Sequence, residues 1–198
     1  MRKTILFILS VMTSLFFMSS CSDSKVKAYE KEKSLELVDS LSKQLSYVKY
    51  LMDEVDIQDI AERRDYVESE LTLIRLKADS TDIPQEYIHS LEEFRALFKI
   101  YKAALTNYKK IVMEYEELNT QVITLKQSVQ SEEYTKEEFK KYYADEKKDV
   151  ERLVEYAEIY LKPILETESL FERRMEEVRN ITMKLRAKDE KSSARAIE

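Results

Sequence analysis

Residues 84–129 read PQEYIHSLEEFRALFKIYKAALTNYKKIVMEYEELNTQVITLKQSV, and one apolar column recurs through them every seven positions: Tyr87, Phe94, Tyr101, Tyr108, Tyr115, Val122 and Val129. A second column, Leu91, Phe98, Leu105 and Val112, follows it, and a third, Leu97, Ala104, Ile111, Leu118 and Leu125, widens the stripe. Seven-residue recurrence is the period of an α-helix winding against a neighbour. Three apolar positions in seven suit the interior of a bundle better than a two-stranded seam. The stretch therefore predicts one long helix, entered at Pro84, where a ring that lacks an N–H fits the first turn.

Working outward toward the N-terminus, Ser80-Thr81-Asp82-Ile83-Pro84 is a break with capping residues just ahead of the proline. Before it, Leu37, Leu41, Leu45, Val48, Met52 and Val55 mark one helical face, which resumes as Ile60, Val67, Leu71, Ile74 and Ala78. The phase slips between Val55 and Ile60, so the spacing predicts a stutter or local unwinding inside a helix over 31–79. Working toward the C-terminus, the chain breaks at Gln130–Tyr134. Thr135-Lys136-Glu137-Glu138 then has the capping-box pattern, with Tyr134 and Phe139 placed as a hydrophobic staple. A third helix over 135–188 carries Tyr143, Val150, Ala157, Ile164, Phe171, Val178 and Leu185 in one unbroken column. Pro163 lies inside it and removes one backbone donor; because the column keeps its phase, a kink is expected there and not a loop. The polar tail 189–198 is expected to fray.

Helices of these lengths would each run about 65 to 75 Å at 1.5 Å per residue. With short breaks between them, the expected fold is all-α: an elongated up-down-up three-helix coiled-coil bundle over 31–188, preceded by a signal-peptide helix. A shorter four- or five-helix bundle results if the chain folds back at Asp56–Asp59 and Pro163.

Composition narrows the functional classes. The 198 residues include no Gly, no Trp, one Cys and one His, and 36% of them are charged. Without Gly there is no Gly-rich phosphate loop, no dinucleotide fingerprint and no nucleophile elbow. Glu86-Tyr87-Ile88-His89 matches the Glu-x-x-His element of di-iron bundles, but that site needs a second such element and the chain has a single His. His89 would also be the sole base for any Ser nucleophile, with no oxyanion hole on offer. The reading is of a chain that is not an enzyme and takes no cofactor or metal.

Three side-chain groupings stand out. In the up-down-up register Asn119 meets Glu146, both interrupting apolar columns, with Lys43 or Gln44 at the same level. They are a candidate polar layer that fixes register at some cost in stability. Arg64 and Arg174 fall near Glu70, Glu93 and Glu168, where ion pairs at a bundle edge are the simpler reading than a ligand site. The heptad tyrosines have the spacing of core packing with hydroxyls at the rim, which accounts for them more simply than a slot for a flat ligand.

The first residues have a different character. Arg2 and Lys3 precede the apolar run Ile5–Met18, which is too short for a comfortable transmembrane helix and reads as a signal peptide over 1–20. Met18-Ser19-Ser20-Cys21 resembles the lipobox of bacterial lipoproteins, with Met where Leu is usual. The resemblance implies cleavage before Cys21 and acylation of its thiol. With Ser22 following and not Asp, it also implies sorting to the outer membrane. Residues 21–30 then read as lipidated Cys and tether. Loss of residues 1–20 removes Arg2 and Lys3 and moves the net charge from −6 to −8, which disfavours nucleic acid. The expected function is a lipid-anchored coiled-coil spacer, scaffold or adaptor of the cell envelope, contacting an envelope or surface protein. Self-association follows if the tyrosine columns are wider than three helices cover. The alternative is a carrier of a small apolar ligand held between the helices.

Overall fold

A computed structural model describes residues 30–78 and 83–195, and every regular element among them is helical. Helix α1 covers 30–54, α2 Ile57–Lys77, α3 Ile88–Gln130, α4 Lys136–Tyr160, α5 Lys162–Glu166 and α6 Glu168–Arg195, with a 3-10 turn, Gln85–Tyr87, ahead of α3. The helices pack together as a bundle. The signal peptide, Cys21 and the rest of the tether before Glu30, the caps Ser80, Thr81 and Asp82, and residues 196–198 lie outside the described residues.

Each break has a local cause. At the phase slip, Asp56 takes an extended conformation (ψ 102°), and its carboxylate caps α2 by accepting from the amides of Gln58 (2.9 Å) and Asp59 (3.2 Å). The expected helix one is therefore two helices. The expected helix three is three consecutive pieces: Pro163 cannot donate, beside the first interruption at Leu161, and a second follows at Thr167, whose hydroxyl donates back to Pro163 O (2.7 Å). Leu161 still bonds back to Ala157 (2.8 Å), then Ile164 bonds to Leu161 and Thr167 to Pro163 (3.1 Å), so one-residue interruptions replace any loop. Pro84 stands ahead of the 3-10 turn, which delays the α-helix to Ile88. Residues 189–195, expected to fray, continue α6.

The end of α3 is closed without glycine. Glu133 N–H reaches Ser128 O (3.0 Å) and Glu132 N–H reaches Val129 O (3.3 Å), the paired bonds of a Schellman ending, and Glu132 takes the left-handed conformation (φ 58°). Just beyond, the Thr135 and Glu138 capping box forms: Thr135 N–H donates to Glu138 Oε2 (2.9 Å) and Glu138 N–H to Thr135 Oγ1 (3.3 Å).

The described residues fall into two compact units, one of 30–45 with Glu117–Val150 and one of Ser46–Glu116 with 151–195. In the first, Val38, Leu41 and Leu45 are buried with Leu118, Val122, Leu125, Val129, Phe139 and Val150. Lys31 donates to Gln130 O (2.6 Å) and Lys126 to Asp39 (2.6 Å), so α1 and α3 run antiparallel here. In the second, α2 and α6 run parallel, linked by Arg63 to Glu168, Glu70 to Arg186 and Lys77 to Asp189. There α3 runs antiparallel to α4 and α6, through Glu114 with Arg152 and Glu93 with Arg174.

Along α3 the first and third columns carry the core. Phe94, Leu97, Tyr101, Ala104, Ile111, Leu118, Val122, Leu125 and Val129 are buried, and Tyr108 and Tyr115 are half-buried. Of the second column only Leu91 is buried; Phe98, Leu105 and Val112 flank the seam. Each fully buried Leu, Ile, Val or Phe among them contributes about 1.5 to 3 kcal/mol.

Candidate functional site

In the unit of Ser46–Glu116 with 151–195, a polar and aromatic cluster is built where the N-terminal half of α2 and the start of α6 meet α3. Arg63 sends two bonds to the Glu168 carboxylate (2.6 and 2.7 Å) and meets Asp59 one turn back (2.7 Å). Its guanidinium stands 4.8 Å from the Phe171 ring centroid. Tyr66 and Tyr101 meet Phe171 edge-on (6.4 and 5.9 Å), and Tyr66 also meets Phe94 (6.3 Å). A planar cation that stacks on a ring and forks onto a carboxylate is the arrangement guanidinium suits and ammonium does not. The pair holds the Glu168 carboxyl below the usual carboxylate range and raises Arg63 above its ordinary value.

Tyr101 departs from the expected rim placement. Its ring is wholly buried, and its hydroxyl has no hydrogen bond of normal geometry. Burial pushes that phenol up to about 12, against the pull of nearby Arg63. Tyr108, half-buried, points its hydroxyl toward Met52 O at 3.5 Å.

The predicted ion-pair grouping is only partly assembled as expected. Arg174 does join Glu93, and it also takes Glu177 (2.9 Å) and Ser90 (3.3 Å). Glu168, however, belongs to Arg63, while Arg64 lies 2.7 Å from its neighbour Asp65. Glu70, only 4% exposed, accepts from Arg186 at 2.5 Å with its other oxygen buried and unpaired. Sequence reasoning missed Arg63 and Arg186. Arg63 was findable: Ile60, Val67 and Ile74 form a strict seven-residue column, and its partner seam positions three residues on are Arg63 and Glu70.

In the other unit Asn119 and Glu146 are each half-buried, and no hydrogen bond joins them among the described residues. One Glu146 oxygen is buried without a partner. Burial raises this carboxyl above its ordinary range, and Asp149, Asp145 and Glu117 add to the rise.

His89 is exposed on the first turn of α3, 3.4 Å from Glu93, and the side chain of Glu86 lies outside those described. Among the described residues no group of three or more His, Cys, Asp or Glu converges to hold a metal ion, and no helix is long and apolar enough to cross a membrane. The chemistry on offer is ion pairing and aromatic packing that join helices. Comparison with protein-family models, with curated proteins and with solved structures finds no match to this chain.

Proposed function

We propose that this protein is a lipid-anchored helical scaffold or spacer of a bacterial cell envelope, held at the outer membrane through Cys21 and presenting helix side surfaces to a protein partner. The observation that carries this reading is the sole cysteine standing at the end of a signal-type apolar run, in the lipobox-like sequence Met18-Ser19-Ser20-Cys21. An unpaired thiol in an oxidising compartment has no other evident use. The up-down-up three-helix arrangement is part of this proposal, supported by the antiparallel α1–α3 pairing in the first unit and by the antiparallel and parallel pairings in the second. Asn119 and Glu146 are proposed to set its register.

Exposed apolar side chains such as Met113 (60%) and Ile159 (51%) are available for contact. A photo-crosslinking residue at Met113 or Ile159 in intact envelopes is expected to yield one discrete protein adduct that is lost in Cys21→Ala. No adduct at either position, with an apolar small molecule copurifying at one per chain, would replace the scaffold with the carrier.

A further inference from the structure

At the α3–α4 turn, the Tyr134 and Tyr142 rings meet at 4.9 Å and 43°, and Tyr142 remains 43% exposed. The start of α4 also carries a second aromatic pair: Phe139, buried, stacks on Tyr143 at 5.7 Å and 23°. The pair is thus an amphipathic aromatic edge set on a closed turn. This is also the place where the chain arrives from its N-terminal side. Glu30, the first described residue of α1, pairs with Lys136, and Lys31 bonds to Gln130 O (2.6 Å) and Glu132 (3.2 Å).

Only nine peptide steps separate Glu30 from Cys21. Even fully extended they span no more than about 32 Å. From this geometry we infer that Tyr134 and Tyr142 seat the α3–α4 turn on the headgroup layer of the bilayer that holds the Cys21 acyl chains; the inference rests on the lipid-anchor reading. Tyrosine favours that layer because its ring is apolar and its hydroxyl wet.

Charge selects the kind of surface. Glu132, Glu133, Glu137 and Glu138 are set against Lys136, Lys140 and Lys141, and Glu132, Glu138 and Lys136 are already engaged with Lys31, Thr135 and Glu30. A turn so nearly balanced gains nothing from anionic lipid, so the partner is a zwitterionic surface such as phosphatidylethanolamine.

The absence of Trp makes the test clean. The full chain is expressed in a diderm host with labelled palmitate, carrying Tyr142→Trp, Tyr134→Trp or, as reference, Glu117→Trp about 20 Å back along α3. Each is purified in detergent and reconstituted into phosphatidylethanolamine–phosphatidylcholine vesicles with brominated acyl chains. Quenching at positions 142 and 134 is expected to exceed that at 117 by about twofold or more, unchanged by added phosphatidylglycerol. Chains that carry label and float with the vesicles but quench equally at all three positions overturn the seat alone. A blue-shifted, unquenched signal at 142 that grows with protein density assigns the face to a second copy, and also overturns it. Chains without label that fail to float overturn the anchor, and the seat with it.

Discussion

Glu70 and Arg186 make the sharpest case at the scale of single residues. A carboxylate 4% exposed inside a helical core is tolerated because a guanidinium reaches it, yet its second oxygen has no donor. Removing the cation strands a buried charge, whereas removing the carboxylate removes the need for the cation. Arg186→Ala is therefore expected to destabilise the chain by about 2 kcal/mol in urea unfolding, while Glu70→Leu leaves stability unchanged or raises it. Equal losses in both variants would mean that the pair itself stabilises the fold. Glu168 and Glu146 contrast in the same way: Arg63 holds one carboxyl low, and burial among acidic neighbours drives the other up.

The elements are explained by what the chain lacks. A helix ending in the Schellman geometry normally places Gly at the left-handed position; this protein has none and uses Glu132 at φ 58°. The left-handed conformation costs a residue with a Cβ about 1 to 2 kcal/mol. Glycine gives back part of that gain through the greater freedom of the unfolded chain. Glu132→Gly is expected to raise stability by about 0.5 to 1 kcal/mol, since the Lys31 pair it removes is exposed and worth little. A loss of stability would show that the Lys31 contact or the local turn is worth more than the backbone strain. Among the described residues the breaks at Asp56 and Pro163 are brief, and the turns run through caps, proline and the left-handed Glu132.

For the whole molecule, the all-helical class was legible because long seams repeat at sevens, as in the unbroken Val150, Ala157, Ile164, Phe171, Val178 and Leu185 series, every member of which is buried. The capping box at Thr135 was legible from four residues. The segmentation of helix one was visible only as a slipped phase, because periodicity reports which face is apolar and not whether the backbone bonds continue through Asp56. The cluster at Arg63 was read one residue late, at Arg64, because a long cation reaches its partner from several positions and apolar columns do not fix which one. What the sequence says about Cys21 comes from a resemblance over its first twenty-one residues and calls for chemistry to decide it. Cells grown with labelled palmitate measure this directly. Wild-type protein is expected to carry the label and sediment with the outer membrane, and Cys21→Ala to carry none and move to the soluble fraction. An unlabelled wild type whose distribution matches that of Cys21→Ala would contradict the lipid anchor.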